Sequence, residues 1–84
     1  MKILIKSIRL KLSFQAPKEE VKRLWVYLPY IKAGKLEKIP AKYRGIFTPV
    51  LLKKLPVGYL MLDGHHRIAM IKALGLSTIE AEIR

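Results

Sequence analysis

Apolar and polar residues alternate along the first part of the chain, which is the pattern of a β-strand with one buried face. The alternation runs from Ile3 to Leu12 and slips at Ser7. A slip of one position would turn the following side chains to the other face of a sheet. We therefore predict a bulge or two shorter strands here. The segment from Thr78 to Ile83 also alternates and is predicted to form the last strand, paired near the first.

A run of apolar residues at helical spacing follows the first strand. Pro17 suits the first turn of a helix, where no N–H partner is needed, and Gly34 marks the end of the pattern. Pro29 should kink this helix or end it near Leu28. The apolar stripe consists of Val21, Leu24, Trp25, Leu28 and Ile31. Because Trp25 lies on this stripe, we interpret it as a core residue rather than a base-stacking platform.

The next part of the chain combines a weak helical pattern with a clear hairpin pattern. Leu36, Ile39 and Tyr43 could form a short amphipathic helix. Pro40 would interrupt that helix and Gly45 would end it. The run from Thr48 to Lys54 is predicted to be a strand, followed by a turn over 55–58. The hairpin then pairs Val50, Leu51 and Leu52 with Tyr59, Leu60 and Met61.

A strand, a tight turn and a helix follow one another between Gly58 and Gly75. The strand breaks at Asp63 and Gly64, and the helix begins at about His66, runs through Leu74 and stops at Gly75. Lys72 is the only charged residue between Arg67 and Gly75. A helix that is apolar on nearly every side is surrounded by protein, so we expect this helix to form the centre of the fold.

The turn before this helix carries the features of an anion site. The N-terminus of a helix directs backbone N–H groups and the positive end of the helix dipole at one point, which suits a phosphate. Gly64 permits a sharp turn and lets a ligand approach the backbone. His65, His66 and Arg67 add donors, and the arginine can hold two phosphate oxygens. We predict phosphate or nucleotide binding at these four residues.

Composition narrows the classes of protein. The chain has 84 residues, no cysteine and a net charge of +11, which attracts polyanions. A thermophilic surface rich in Lys and Glu would also fit the absence of cysteine, but not the excess of bases. No apolar run approaches the ~18 residues of a membrane span, and the first six residues are too short for a signal peptide. We expect a cytoplasmic protein that does not bind membranes.

Two segments resemble the ParB/sulfiredoxin superfamily, also known as ParB-like nuclease domains. Gly45-Ile46-Phe47-Thr48-Pro49-Val50 resembles the G-[IL]-x-x-P-[IV] pattern at the start of the family's second strand. Tyr59-Leu60-Met61-Leu62-Asp63-Gly64-His65-His66-Arg67, continued by Ala69, Ala73 and Gly75, resembles its G-x-x-R phosphate-binding box and helix. The resemblance implies a small α/β (α+β) domain over residues 1–84. Its mixed sheet of about four strands would pack with two to three helices.

The resemblance also implies a ligand. In ParB proteins the matching box, usually G-E-R-R, contacts a nucleotide triphosphate, and Gly64 and Arg67 match its first and last positions. In sulfiredoxin the box is G-C-H-R. His66 and Arg67 match it, but His65 replaces the catalytic cysteine, which rules out sulfiredoxin chemistry. The D-G-H-H-R sequence is similar to archaeal ADP-dependent free-serine kinases, which are much longer. The implied ligands are ATP, ADP or CTP with Mg²⁺.

The remaining polar residues have open roles. Asp63 is most simply a turn or N-cap residue, although it could bind the Mg²⁺ of a nucleotide or act as a catalytic base. A zinc site at the two histidines is disfavoured because neighbours on a helix point about 100° apart. Lys42, Tyr43 and Arg44 form a basic–aromatic cluster that could contact a nucleic-acid backbone or be a solvated turn.

Three functions are consistent with these residues. A ParB-like module that binds a nucleotide or DNA without catalysis is favoured by the short chain, the charge and the scarcity of acids. A nuclease or an ATP- or ADP-dependent phosphotransferase would need a general base and a Mg²⁺ ligand. Only Asp63 is near the box in sequence, whereas Glu19, Glu20 and Glu37 could reach it through the fold. The third alternative is a subunit, either in a homodimer or with a larger partner that supplies missing elements.

Overall fold

The computed structural model describes residues 1–10 and 15–84, in which five strands form one mixed sheet. The strands are β1 (Lys2–Leu4), β2 (Ile8–Arg9), β3 (Val50–Lys54), β4 (Tyr59–Asp63) and β5 (Thr78–Ile83). Their order across the sheet is β1-β5-β3-β4-β2. The helices are α1 (Lys18–Trp25), α2 (Leu28–Lys32) and α3 (His65–Ala73). The predicted α/β class is confirmed, with one strand more than expected.

The first alternating segment is divided into two strands that lie at opposite edges of the sheet. A short 3₁₀ helix, Ile5–Ser7, separates them. β1 pairs antiparallel with β5, and β2 pairs parallel with β4. The prediction of two shorter strands divided near Ser7 is confirmed, as is the pairing of the first strand with the last. Leu12 lies outside the described residues.

The predicted hairpin is present between β3 and β4, and the two strands are antiparallel, but the predicted pairing was only partly right. Tyr59 and Leu60 lie opposite Lys54 and Lys53, and of the residues predicted to pair only Leu52 and Met61 lie opposite each other. Both side chains are fully buried. The register shifts between Leu51 and Leu52, which is the irregularity expected where one strand carries an extra residue. β3 also pairs in parallel with β5, so β3 is the middle strand of the sheet.

Helix α3 lies between two parts of the core, as its sequence predicts. Ile68 and Ile71 pack with the buried residues of the sheet. Met70 and Leu74 pack on a second side with Leu24 of α1. The helix begins at His65, one residue earlier than expected, and Gly75 follows its end with a φ of 81°. α3 therefore joins the sheet to the helical layer.

Trp25 is not a core residue, and that interpretation was wrong. Its side chain is 52% exposed, whereas Leu24 beside it is 1% exposed. Consecutive helical residues point about 100° apart, and α1 buries little beyond the side that carries Leu24. Trp25 is also the last residue of α1, and Pro29 lies in the first turn of the separate helix α2. The chain thus ends one helix and starts another instead of kinking.

The segment between α2 and β3 forms two 3₁₀ helices rather than one amphipathic α-helix. They span Leu36–Lys38 and Ala41–Phe47. Pro40 divides them, as expected, and the preceding Ile39 is 1% exposed. Gly45 does not end the second helix, because its backbone stays outside the left-handed region that terminates helices.

Within residues 1–10 and 15–84, no helix has the length and apolar character required to span a membrane. The longest, α3, has 9 residues, which is less than half of the ~20 that a bilayer requires.

Replacing Gly64 by alanine should lower the free energy of unfolding by about 2–5 kcal/mol. A left-handed backbone costs an L-residue about 1–2 kcal/mol, and overpacking adds about 1–3 kcal/mol. Both apply at Gly64, with a φ of 109° and Val50 Cγ1 2.5 Å from an added Cβ. Urea denaturation measures the change. Gly34→Ala has a positive φ but open space, so it should show the backbone cost alone. Gly45→Ala has neither and should change stability by less than about 0.5 kcal/mol. Equal losses in all three variants would contradict this explanation.

Candidate functional site

The corner between β4 and α3 requires glycine for two separate reasons. Gly64 has a φ of 109° and a ψ of 24°, a conformation that residues with a Cβ rarely adopt. A Cβ at this position would also lie 2.5 Å from Cγ1 of Val50. The sequence suggests two reasons for this glycine, a sharp turn and access of a ligand to the backbone, and the positive φ agrees with the first. In the structure, the space beside it is occupied by the first residue of β3.

Arg67 connects α3 to the segment that leads into β3. Its Nη1 donates hydrogen bonds to the carbonyl oxygens of Pro49, at 2.6 Å, and Thr48, at 3.4 Å. Its Nη2 lies 3.5 Å from Oδ2 of Asp63. The side chain is 26% exposed, and a guanidinium has five N–H donors. These contacts therefore use only part of its capacity, and Arg67 is both a structural link and a cation beside the turn.

Asp63 does not cap α3, so its N-cap role was wrong. Gly64 occupies the N-cap position, and no side chain makes a cap hydrogen bond there. Asp63 lies one residue earlier, is 74% exposed and faces Arg67 instead. The N–H groups of the first helical turn therefore lack a side-chain cap. Gly64 itself is buried, whereas His66 in the same turn is exposed, and the positive end of the helix dipole favours an anion on that exposed side.

A pocket of about 280 Å³ lies beside the N-terminal half of α3. Its polar lining combines residues from three elements, namely Glu20 and Arg23 of α1, Lys42 and Tyr43 of the second 3₁₀ helix, and His66 of α3. His66 Nε2 is 3.7 Å from Oε2 of Glu20. Lys42 Nζ lies 5.1 Å from the centre of the Tyr43 ring. We name this cavity the His66 pocket. It brings one residue of the predicted phosphate-binding turn, His66, together with Lys42 and Tyr43 of the basic–aromatic cluster.

The sequence did not identify Arg23 as a site residue and named Glu20 only as one of three acids within possible reach. Both flank Leu24 on α1, and this buried residue packs against Met70 and Leu74 of α3. The docking of α1 on α3 therefore carries them to the pocket. The helical spacing around Leu24 was visible in the sequence, but the partner helix was not.

Arg44 separates from its neighbours in the predicted basic–aromatic cluster. Its Nε donates to the carbonyl oxygen of Ile39 at 3.0 Å, and its Nη2 donates to that of Glu37 at 3.2 Å. These bonds join the two 3₁₀ helices across Pro40. Arg44 does not line the His66 pocket, and neither do Gly64, the half-buried His65 or Arg67 of the predicted turn.

The residues described in the structure contain no cluster of three His, Asp or Glu side chains that could hold a metal ion. A magnesium ion bound with a nucleotide needs only one or two carboxylates besides the phosphates. Asp63 and Glu20 are the carboxylates beside the start of α3, so either could contribute to such an ion.

Comparison with solved structures identifies the fold. The whole chain superposes on a crystal structure of the C-terminally truncated chromosome-partitioning protein ParB from Caulobacter crescentus, complexed to the centromeric parS site. The TM-score is 0.62 and the sequence identity is 16%. The match covers 100% of this chain and 40% of that chain. A scan against protein-family models and a search of curated proteins find no match.

The chain therefore has a ParB-like fold, and the fold implied by its two sequence segments is confirmed. In space, those segments are in direct contact. Gly64 packs on Val50, and Arg67 donates to the carbonyl oxygens of Thr48 and Pro49. Both bonds come from one nitrogen, Nη1, while Nη2 faces Oδ2 of Asp63, so the two arms of the guanidinium reach two different kinds of partner.

Replacing Arg67 by alanine should lower the free energy of unfolding by about 1–3 kcal/mol without any ligand. Hydrogen bonds to charged groups contribute about 1.5–3 kcal/mol, and the bond to Pro49 is short but exposed to solvent, which lowers its contribution. Urea denaturation measures the effect. Lys72→Ala, at the exposed end of the same helix, serves as the control and should be within about 0.5 kcal/mol of the parent chain. If both variants are equally stable, Arg67 does not hold this corner together.

Proposed function

We propose that this chain is a ParB-like domain that binds the phosphates of a nucleotide, or of a nucleic-acid end, at the N-terminus of α3. The observation that carries the proposal is the position of the His66 pocket beside a helix N-terminus without a side-chain cap. Backbone N–H groups and the helix dipole favour an anion there. Gly64, His65, His66 and Arg67 form the phosphate-binding turn in this proposal.

Charge around the pocket supports an anionic ligand. Arg23 and Lys42 carry positive charge, and His66 adds a donor from the first turn of α3. Glu20 is the acid on the lining, and its side chain is 47% exposed. Such a lining attracts a phosphate group through charge-assisted hydrogen bonds. Arg67 holds the corner in shape and contributes its remaining donors.

The fold and the pocket together support the proposed class of ligand. A cavity of about 280 Å³ is near the lower end of the range for small-molecule sites. It suits part of a nucleotide, with the rest exposed to solvent. ATP, ADP and CTP with Mg²⁺ are the ligands to test, and Asp63 or Glu20 is the proposed carboxylate for the ion. A homodimer or a larger partner protein that completes the site belongs to the same proposal.

Titration with ATP, ADP and CTP, with and without Mg²⁺, tests the site through three variants. His66→Ala and Lys42→Ala should each weaken binding about tenfold, equivalent to about 1.4 kcal/mol, because each removes a donor to the anion. Glu20→Gln should retain or strengthen binding, because it removes a negative charge beside the phosphate. Isothermal titration calorimetry measures the affinities.

Lys72→Ala is the matched control, because it removes one positive charge at the opposite end of α3. It should leave nucleotide affinity unchanged. If Lys72→Ala weakens nucleotide binding as much as His66→Ala and Lys42→Ala do, the general positive charge of the surface explains the binding and the pocket does not. No saturable binding of any of the three nucleotides would also reject the site.

A second candidate function is phosphoryl transfer or phosphodiester hydrolysis. The 3.7 Å approach of His66 to Glu20 favours it, because a carboxylate that orients a histidine is a recurrent arrangement in acid–base catalysis. Asp63 provides a second carboxylate on the other side of the turn.

Product formation separates the two functions. If the chain is an enzyme, nucleotide or oligonucleotide turnover should fall at least 100-fold in Glu20→Gln, because general acid–base groups contribute about 10²–10⁴-fold, while nucleotide binding persists. Chromatography of nucleotide and oligonucleotide products measures turnover. Binding without turnover in the parent chain, with Mg²⁺ present, assigns the chain to the binding class.

A further inference from the structure

A surface away from the His66 pocket carries an unusual group of exposed side chains. Among the described residues, seven large hydrophobic side chains are exposed, and three of them fall within residues 25–30. They are Trp25 at 52%, Val26 at 70% and Tyr30 at 43% exposure. Exposed tryptophan and tyrosine in one short segment are characteristic of interaction surfaces.

The same segment is basic. Between Glu20 and Glu37 the chain has four Lys or Arg residues and no acid. On α1, Lys18, Lys22 and Trp25 are all exposed, and their spacing of four and three residues places them on one side of the helix. At a rise of 1.5 Å per residue, these side chains start about 6 Å and about 4.5 Å apart along the helix axis. We name the exposed residues Lys18, Lys22 and Trp25 the Trp25 surface, and the exposed Tyr30 lies five residues further along the chain, on α2.

The Trp25 surface is separate from the His66 pocket. Arg23 lines that pocket and lies two residues before Trp25. Two helical residues at this spacing point about 200° apart, so they lie on opposite flanks of the buried Leu24. A ligand on one flank does not occupy the other.

We propose that the Trp25 surface binds single-stranded nucleic acid. Lys18 and Lys22 contact the phosphates, and unpaired bases stack on Trp25 and Tyr30. Single-strand binding commonly combines a basic track with aromatic rings, and stacking contributes about 1–3 kcal/mol per base. The positive charge of the stripe and of the whole chain selects a polyanion, and the exposed rings select unpaired bases over a closed duplex.

The chain contains one tryptophan, so its fluorescence reports this surface directly. Titration with a thymidine oligonucleotide should quench the emission saturably. An abasic oligonucleotide of equal length and a duplex of equal charge should bind at least tenfold more weakly, because neither offers an unpaired base. Equal affinity for the abasic strand would overturn the proposal, because phosphate attraction alone would then explain the binding. Quenching by anionic lipid vesicles without quenching by the oligonucleotide would overturn it in favour of a membrane surface.

Variants test the roles of the individual side chains through fluorescence anisotropy of a labelled oligonucleotide. Trp25→Ala should weaken binding about tenfold, whereas Trp25→Phe should retain most of the affinity because the stacking ring remains. Val26→Ala is the control, because Val26 is more exposed than Trp25 but has no ring. Lys22→Ala should reduce the salt dependence of binding. Unchanged affinity in Trp25→Ala, with the fold verified by circular dichroism, would contradict the proposal.

Competition distinguishes this surface from the nucleotide site. Saturating nucleotide and the variant His66→Ala should both leave oligonucleotide quenching of Trp25 unchanged. Displacement of the oligonucleotide by nucleotide would show one shared site and would overturn the separate surface. If the parent chain binds the oligonucleotide but no nucleotide, the proposed function is rejected and the proposal for the Trp25 surface stands.

Discussion

The hydrogen bond from Arg67 to the carbonyl oxygen of Pro49 joins the two parts of the chain on which the site depends. It attaches the first turn of α3 to the segment before β3. The contact of Gly64 with Val50 holds the same corner against the first residue of β3. α3 also packs on the sheet and on α1. The orientation of this corner therefore sets how the sheet, α3 and α1 lie relative to one another.

The basic residues near the turn have two different roles in this arrangement. Arg67 and Arg44 direct their guanidinium groups to backbone carbonyl oxygens and hold irregular segments in place. Lys42 and His66 stay at the surface of a cavity. Basic residues that are adjacent in sequence therefore serve different purposes, and the direction of each side chain, rather than its charge, decides which purpose it serves.

Much of the fold was predictable because local patterns agreed with global packing. Alternation gave β5, the uninterrupted apolar run gave α3, and the hairpin followed from two apolar runs around a turn. The prediction that Trp25 is a core residue was wrong because apolar residues at helical spacing do not show how wide the partner surface is. The docking of α1 on α3 determines which side of α1 is buried, and it also brings Glu20 and Arg23 to the pocket. The predicted N-cap role of Asp63 was wrong because Gly64, with its left-handed backbone, occupies the N-cap position.

The division of the first alternating segment has a consequence for how the molecule is assembled. β1 and β2 border opposite sides of the sheet, and their partners β5 and β4 come much later in the chain. Pairings between distant segments form slowly, because loop closure comes before the contact is gained. Until they form, β4 and β5 each present an unpaired border that can recruit another chain. β1 and β2 thus cover both borders, and protection of the sheet from association depends on these two distant pairings.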